Sequence, residues 1–243
     1  MVISMNPLFI SFLASLSTTI GSIIVFFKRN NNILCFSLMF ASGVMITVSI
    51  FDLIPEAFIK LNSYFNFIPS ILLLSIFFCI GIIISSLIDK YVPNNDEIYR
   101  VGVINLIAII LHNIPEGIVT YLAGCVDIRL GITLAISIAL HNIPEGIAIA
   151  LPIYYSSNNK LKAIIYTMTA GISEFLGSII ALLFLKNYLT NQFIGLILSI
   201  IAGIMIQISF YELIPNALKL KNRRVVVYFI LGVIMMLLSI III

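Results

Sequence analysis

A seven-residue segment, Leu-His-Asn-Ile-Pro-Glu-Gly, occurs twice in the chain, at residues 111–117 and 140–146. Each copy lies inside a stretch apolar enough to cross a lipid bilayer. Polar side chains are costly in such surroundings, and those found there usually face a cavity, pair with one another or bind a cation. The duplicated His, Asn and Glu residues therefore predict a buried site for a metal ion.

The spacing within each copy indicates how the donors are arranged. On a helix, His112 and Glu116 share one face because they are four residues apart, and His141 and Glu145 do the same. Two such helices packed face to face would bring two imidazoles and two carboxylates together. This donor set suits zinc, iron, manganese or cobalt better than calcium or magnesium, and the lack of a thiolate argues against Cu(I).

The asparagines of the two copies extend this prediction to a second ion. Asn113 and Asn142 lie one step further round each helix and offer carbonyl oxygens, so the same glutamates could bridge two metal ions. Glu174, on the sixth apolar stretch, has small neighbours that would let it reach the central pair, and we expect it to bind the second ion. The alternative is a self-satisfied polar network without metal. No organic cofactor is predicted.

Proline and glycine in the two copies are expected to shape the helices. Pro115 and Pro144 lack an N–H and clash with the carbonyl four residues earlier, which predicts a bend near each His-Asn step. Gly117 and Gly146 predict a close approach of the partner helix. Ordinary kinking and packing of membrane helices would need the same residue types.

A second polar set lies on the second and seventh apolar stretches. We predict that Asp52 with Glu56, and Gln207 with Glu212, line a path to or from the site. The alternative is that these carboxylates lie at helix ends and snorkel to the interface. Lys60, one turn beyond Glu56, favours that alternative for Glu56.

The charged residues inside the apolar stretches are acidic. Every Lys and Arg is placed in a loop or at a helix end, whereas up to six carboxylates lie within or at the ends of the spans. Such carboxylates are predicted to have no basic partner and to need protons or metal cations. Transport of an anion is thereby disfavoured.

Composition defines the class of protein. The 243 residues are 61% hydrophobic and 9% charged, with a mean hydropathy of +1.20, which is typical of an all-α, polytopic protein whose main partner is the lipid bilayer. We predict one transmembrane domain, 1–243, with eight spans. They cover about 7–27, 33–59, 68–88, 101–125, 130–154, 163–185, 193–218 and 225–243.

The basic residues predict the topology. Odd-numbered loops hold ten of the 13 Lys and Arg residues, and even-numbered loops hold only Lys60, Arg129 and Lys186. The positive-inside rule then places the odd loops in the cytoplasm and both termini outside. The first span lacks a basic flank and a cleavage site, so it is predicted to be a permanent helix. The charges form no continuous patch, and nucleic-acid binding is not predicted.

Internal repeats predict the architecture. Residues 42–58 match 202–218 at a constant offset of 160, with eight identities in seventeen positions, and Asp52 corresponds to Glu212. These stretches are the second and seventh spans, so the repeat is inverted, and so is the pair of seven-residue copies on the fourth and fifth. The result is a 3+2+3 arrangement. Nested inverted repeats with interrupted helices are typical of secondary transporters that work by alternating access.

Two HNxPEG motifs on the fourth and fifth of eight spans, with an SExxG glutamate on the sixth, resemble the ZIP (Zrt/Irt-like protein) divalent metal transporters over essentially the whole chain. The resemblance implies uptake of zinc, often also of iron, manganese, cobalt or cadmium, across the cell (plasma) membrane into the cytoplasm. It implies a binuclear site, movement of the central helices and the sixth against a scaffold with the second and seventh, and commonly a homodimer. The implied ligands are His112, Asn113, Glu116, His141, Asn142, Glu145 and Glu174.

Some features depart from the family. The Asp89–Arg100 loop has no His, whereas many eukaryotic members carry a His-rich metal-sensing stretch there. Some relatives have Gln or Asp where this chain has His141 and Asn142. Two other functions stay open: an intramembrane zinc-dependent hydrolase, although no HExxH motif is present, and a passive metal-selective channel.

Overall fold

The computed structural model of the protein describes residues 6–92, 96–185 and 190–242. Within these ranges, seven long apolar helices and one of 18 residues follow one another, which confirms the predicted all-α, polytopic membrane protein. They are α1 (Pro7–Phe26), α2 (Asn31–Asn62), α3 (Phe67–Tyr91), α4 (Glu97–Val126), α5 (Ile128–Ser157), α6 (Lys160–Phe184), α7 (Asn191–Lys219) and α8 (Val225–Ile242). Lys186, part of the predicted loop 89–100 and the first five residues lie outside the described ranges.

The two central helices begin earlier than the hydropathy pattern predicts. Helix α4 begins at Glu97 because the Asp96 side chain accepts hydrogen bonds from the N–H groups of Ile98 and Tyr99. Helix α5 begins right after Asp127, whose carboxylate accepts from the Arg129 N–H. Glu97, Arg100 and Arg129, which the hydropathy pattern places in loops, therefore belong to the first turns of these helices.

The helices form two bundles. Helices α1, α4, α5 and α6 pack together, with α4 against α5 and α6, and α1 against α5 and α6. In the other bundle, α3 packs against α7 and α8 packs against α2. The bundles meet mainly where α2 contacts α5 and where α4 contacts α7. The 3+2+3 order along the chain thus becomes two groups of four helices in space.

Matched glycines show the inverted repeat in the packing. A Cβ added to Gly43 on α2 would lie 2.3 Å from the carbonyl oxygen of Phe229 on α8. A Cβ added to Gly203 on α7, at the repeat offset of 160, would lie 2.1 Å from the carbonyl oxygen of Phe78 on α3. Both glycines allow two helix backbones to touch. The equivalent helices α2 and α7 therefore make the same kind of contact, α2 with α8 and α7 with α3.

The repeat also reproduces an irregular turn. Helix α2 contains a π-helical turn over Ser49–Leu53, and α7 contains one over Ser209–Leu213. A proline follows two residues later in each helix, and the wider turn accommodates a residue that cannot donate to the regular helical ladder. The turns hold Asp52 and Glu212.

The two ends of the helical array can be named by their residues. Helices α2, α4 and α6 end at one side of the array, which we call the Lys60 face. Helices α1, α3, α5 and α7 end at the other side, which we call the Arg100 face. Consecutive membrane-crossing helices alternate in direction, so Asp52 lies toward the Lys60 face and Glu212 toward the Arg100 face.

Candidate metal centre

The two seven-residue motifs meet in the contact between α4 and α5. His112 on α4 lies 3.0 Å from Glu145 on α5, measured from Nε2 to Oε2. His141 on α5 lies 3.2 Å from Glu116 on α4, measured from Nε2 to Oε1. Each histidine therefore pairs with the glutamate of the other motif, and the structure brings all four side chains together.

Helix α6 adds the third carboxylate. The Asn142 amide donates to Oε2 of Glu174 at 2.8 Å, so Glu174 reaches the central helices as its small neighbours predict. The Asn113 amide instead donates to the carbonyl oxygen of Ala170 on α6, at 3.0 Å. The two asparagines thus have different partners although they occupy equivalent places in the two motifs.

All seven predicted ligands are buried, and the most exposed of them, Glu116, keeps only 6% of its surface accessible. Each has one buried polar atom without a hydrogen-bond partner among the described residues. These atoms are Nδ1 of His112 and His141, Oδ1 of Asn113 and Asn142, Oε2 of Glu116, and Oε1 of Glu145 and Glu174. A buried acceptor without a partner is destabilising. A cation would satisfy this set, since it consists of oxygens and imidazole nitrogens.

The donors are paired rather than gathered round one point. Within the described ranges, no three His, Cys, Asp or Glu side chains converge closely enough to hold a metal ion. An imidazole whose Nε2–H donates to a glutamate keeps a lone pair on Nδ1, as a metal ligand requires.

Two glycines allow the four helices around these side chains to pack closely. A Cβ added to Gly117 would lie 1.8 Å from the carbonyl oxygen of Glu174 on α6. A Cβ added to Gly146 would lie 2.0 Å from the carbonyl oxygen of Thr18 on α1. The predicted close approach is confirmed, but the helices that approach are α6 and α1 and not the partner helix of the central pair.

A cavity of about 490 Å³ leads toward the central residues from the Lys60 face. We call it the vestibule. Glu116 and His141 lie on its wall, together with Asp52 and Glu56 from α2. Glu56 also forms an ion pair with Lys60, with 3.0 Å between Oε1 and Nζ. Both acidic residues of α2 thus face a space that adjoins the site.

The second pair of predicted pathway residues lies elsewhere. Gln207 accepts a hydrogen bond from the Ser85 hydroxyl at 2.6 Å and donates to Ser86 at 3.4 Å, so the structure places it in the contact between α3 and α7. Glu212 lies toward the Arg100 face, where Oε1 is 3.4 Å from Nη1 of Arg100. Their part in a transport path stays a prediction.

The expectation that the intramembrane carboxylates have no basic partner is wrong at two positions. Glu56 pairs with Lys60, and Glu212 pairs with Arg100. Both bases lie near helix ends, where long side chains reach along a turn or across a helix contact. Glu116, Glu145, Glu174 and Asp52 make no ion pair with Lys or Arg in the described part of the chain. The unbalanced charge therefore lies at the centre and in the vestibule beside it.

The sequence reasoning missed a buried polar residue of α1, the helix that packs against Gly146. Residues 14–22 match 170–178 at an offset of 156, with Ala14, Ser17, Gly21 and Ser22 identical to their counterparts. Thr18 then corresponds to Glu174. Thr18 is fully buried and its hydroxyl has no partner among the described residues. This short self-match was the signal that could have found it.

Comparison with known proteins decides the family. The family model described as "ZIP Zinc transporter" matches residues 94–242. The chain belongs to the ZIP family. Relatives named "Zinc transporter ZupT" come from Clostridium perfringens, with 35% identity over 93% of this chain and 92% of the relative, and from Streptococcus mutans, with 37% identity over 89% of each. A third, from Campylobacter jejuni, is 37% identical over 84% of each chain.

Membership of the ZIP family confirms the resemblance that the two motifs carry. It places the chain among transporters and not among enzymes, so the hydrolase interpretation is set aside. The family match extends from just before α4 to α8, and the relatives extend the similarity to most of the chain. The buried His, Asn and Glu set is therefore the candidate metal centre of a ZIP transporter.

Proposed function

We propose that this protein carries zinc across the cell (plasma) membrane into the cytoplasm, through the centre formed by α4, α5 and α6. One observation supports this above all: within the described residues, seven buried donor side chains each keep one atom without a partner, and the three carboxylates among them have no basic partner. Such a cluster is strongly destabilised unless positive charge enters it. The relatives are named zinc transporters, which supports zinc as the cation that brings this positive charge.

The site is proposed to hold two ions. The two imidazoles with Glu116 and Glu145 would bind the first ion, and the two asparagines with Glu174 would bind the second. The same two glutamates would bridge them, since each has one oxygen on a histidine and one without a partner. Metal binding would replace the cross-helix hydrogen bonds with metal–ligand bonds. Iron, manganese, cobalt and cadmium accept the same donor types and are proposed as further substrates.

Alternating access is proposed as the mechanism. The vestibule joins the centre to the Lys60 face. On the other side, buried apolar residues such as Ile104 and Ile149 lie between the centre and a smaller cavity of about 90 Å³ at the Arg100 face. A rocking of the bundles would close the first side and open the second. The positive-inside rule makes the Arg100 face cytoplasmic and places both termini outside.

Metal flux into proteoliposomes of the purified protein tests this function. We expect saturable zinc uptake that the His112→Ala/His141→Ala variant abolishes. Leu111→Ala/Leu140→Ala is the matched control, because these residues adjoin the histidines but are 39% and 38% exposed on the outside of the helices. Uptake unaffected by loss of both histidines would refute the site. Flux that does not saturate would indicate a passive channel instead.

A homodimer is also part of the proposal. Many large apolar side chains are exposed on the outer helices, as a surface in contact with lipid or a second copy requires. Mass measurement of the detergent-solubilised protein tests the dimer. A single-copy mass at all concentrations would refute it.

A further inference from the structure

Arg100 joins the two bundles at the Arg100 face. It lies on α4, and its guanidinium contacts carboxylates of the other bundle: Glu212 on α7, at 3.4 Å from Nη1, and Asp89 on α3. It also donates to the carbonyl oxygen of Asp89 at 2.7 Å. The side chains of Arg100 and Glu212 are only 17% and 5% exposed. An ion pair this far from water is costly to break, so it holds the bundles together at this end.

The repeats predict a second pair of the same kind at the opposite end. The two HNxPEG motifs are offset by 29 residues, and this offset carries Arg100 onto Arg129 in the first turn of α5. The offset of 160 carries Glu212 onto Asp52. Both acidic residues lie in π-helical turns. An Arg129–Asp52 pair at the Lys60 face would therefore be the repeat-related equivalent, or image, of the Arg100–Glu212 pair.

That second pair is not formed in this structure. Arg129 is exposed, and in the described part of the chain its side chain makes no ion pair or hydrogen bond. The vestibule lies between the partners: Asp52 lines it from α2, and Leu130 and Thr133 line it from α5. Arg129 precedes Leu130 and is one turn before Thr133, so it lies at the rim of the same wall.

Burial along α4 and α5 shows the same asymmetry. Ile104 and Ala108 on α4 are 0% and 2% exposed. Their images at the offset of 29, Thr133 and Ser137 on α5, line the open vestibule. Equivalent helix faces are thus sealed toward the Arg100 face and open toward the Lys60 face.

We propose that Arg100 with Glu212 and Asp89, and Arg129 with Asp52, are alternate locks of the transport cycle, of which one is closed while the other is open. The inference rests on the proposed alternating access. Opening the Arg100 face breaks a partly buried ion pair, and closing the vestibule forms its image. The gain from the second pair offsets the loss of the first, which keeps the two states close in free energy. Arg129 thereby has a function that the exposed side chain does not reveal.

Cysteine labelling from each face of the membrane tests the locks. In a background with Cys35, Cys79 and Cys125 replaced, Ala108→Cys reports opening of the Arg100 face and Ser137→Cys reports opening of the vestibule. Arg100→Gln should raise the rate of Ala108→Cys labelling by a membrane-impermeant maleimide by about fivefold, and lower that of Ser137→Cys. Adding Arg129→Gln should return both rates toward the parent values, because both locks are then lost.

Arg223→Gln, in the α7–α8 connection at the Arg100 face, is the control and should leave both rates unchanged. Unaltered labelling in Arg100→Gln with an intact melting transition would overturn the first lock. No reversal on adding Arg129→Gln would overturn the second. If Arg100→Gln does not fold, Arg129→Glu decides, because repulsion from Asp52 should hold the vestibule open and lower Ala108→Cys labelling; an unchanged rate refutes the proposal.

The readout separates this inference from the proposed function. Labelling follows the two conformations and requires no metal uptake. Altered labelling without zinc flux in the wild type would refute the function and keep the locks. Zinc flux with unaltered labelling would refute the locks and keep the function.

Discussion

Thr18 on α1 occupies the place that Glu174 occupies on α6. The carbonyl oxygen of Glu174 faces Gly117, and that of Thr18 faces Gly146, the equivalent glycine of the other motif. The side chains differ at this equivalent place, because α6 carries a carboxylate there and α1 carries a buried hydroxyl without a partner among the described residues. A neutral hydroxyl is the weaker ligand for a divalent cation, so we expect the second ion to lie on the Glu174 side.

The first prediction concerns metal stoichiometry. Glu174→Gln should lower bound zinc from about two ions to about one ion per chain, because the second ion loses its only unshared carboxylate. Thr18→Val removes the hydroxyl at nearly constant volume and should leave the stoichiometry unchanged. Elemental analysis of the equilibrated protein measures both. Loss of an ion in Thr18→Val would instead make the threonine a ligand.

The second prediction concerns the close contact of α4 with α6. Gly117→Ala should destabilise the protein by about 2–3 kcal/mol, because the new Cβ would lie 1.8 Å from a backbone oxygen that cannot move without the helix. Gly124→Ala on the same helix is the control, since its Cβ would meet the Pro7 side chain at 3.0 Å. Melting temperatures in detergent compare them. Equal losses would contradict this close contact.

The third prediction concerns the start of α4. The Ser156 hydroxyl and the N–H groups of Tyr99 and Ile98 donate to Asp96 and hold the pKa of its carboxyl below the usual value. The charged form therefore stabilises the folded state at pH values above the unfolded pKa, and this contribution is lost as the pH falls through the lower folded pKa. Asp96→Ala should cost about 1 kcal/mol at neutral pH.

Thermal melting at neutral and acid pH measures the effect of Asp96→Ala. The difference from the wild type should shrink at acid pH, as the wild-type carboxylate becomes protonated. Asp127→Ala, which removes the equivalent cap of α5, is the comparison without a serine partner. A difference for Asp96→Ala that is the same at both pH values would show that the charge does not contribute.

The fourth prediction concerns the vestibule. Lys60→Gln removes the base that neutralises Glu56 beside Asp52, and the more negative potential should raise the local concentration of divalent cations. We expect the apparent KM for zinc uptake to fall by about twofold at low ionic strength, and the effect to vanish at high salt. Lys28→Gln, at the Arg100 face, is the control. An unchanged KM at low salt would exclude electrostatic capture by the vestibule.

The sequence was sufficient to predict the class of fold and the meeting of the two motifs, because each motif carries its own spacing and lies on one helix. Glu174 was also within reach of prediction, since its small neighbours indicate a close helix contact. These features depend on patterns within single helices. The alignment of α4 against α5 follows because the two seven-residue motifs are equivalent.

Contacts between the bundles were not predictable in the same way. Arg100 meets Glu212, which is 112 residues away, and no local pattern fixes how α4 and α7 lie against each other. Gln207 likewise turned toward Ser85 on α3 because of helix packing. The π-helical turns were hidden as well, since the sequence shows a proline but not how the preceding turn widens.

The matched π-helical turns of α2 and α7, unlike the one over Ala181–Leu185 in α6, bear on how the two halves of the chain arose. Each contains one residue more than a regular helix needs, and the two extra residues occupy equivalent places in the halves of the molecule. A single insertion in an ancestral three-helix unit, followed by duplication, accounts for both. Separate origins would require the same insertion twice at equivalent positions, so one insertion before the duplication is the simpler history for these two turns.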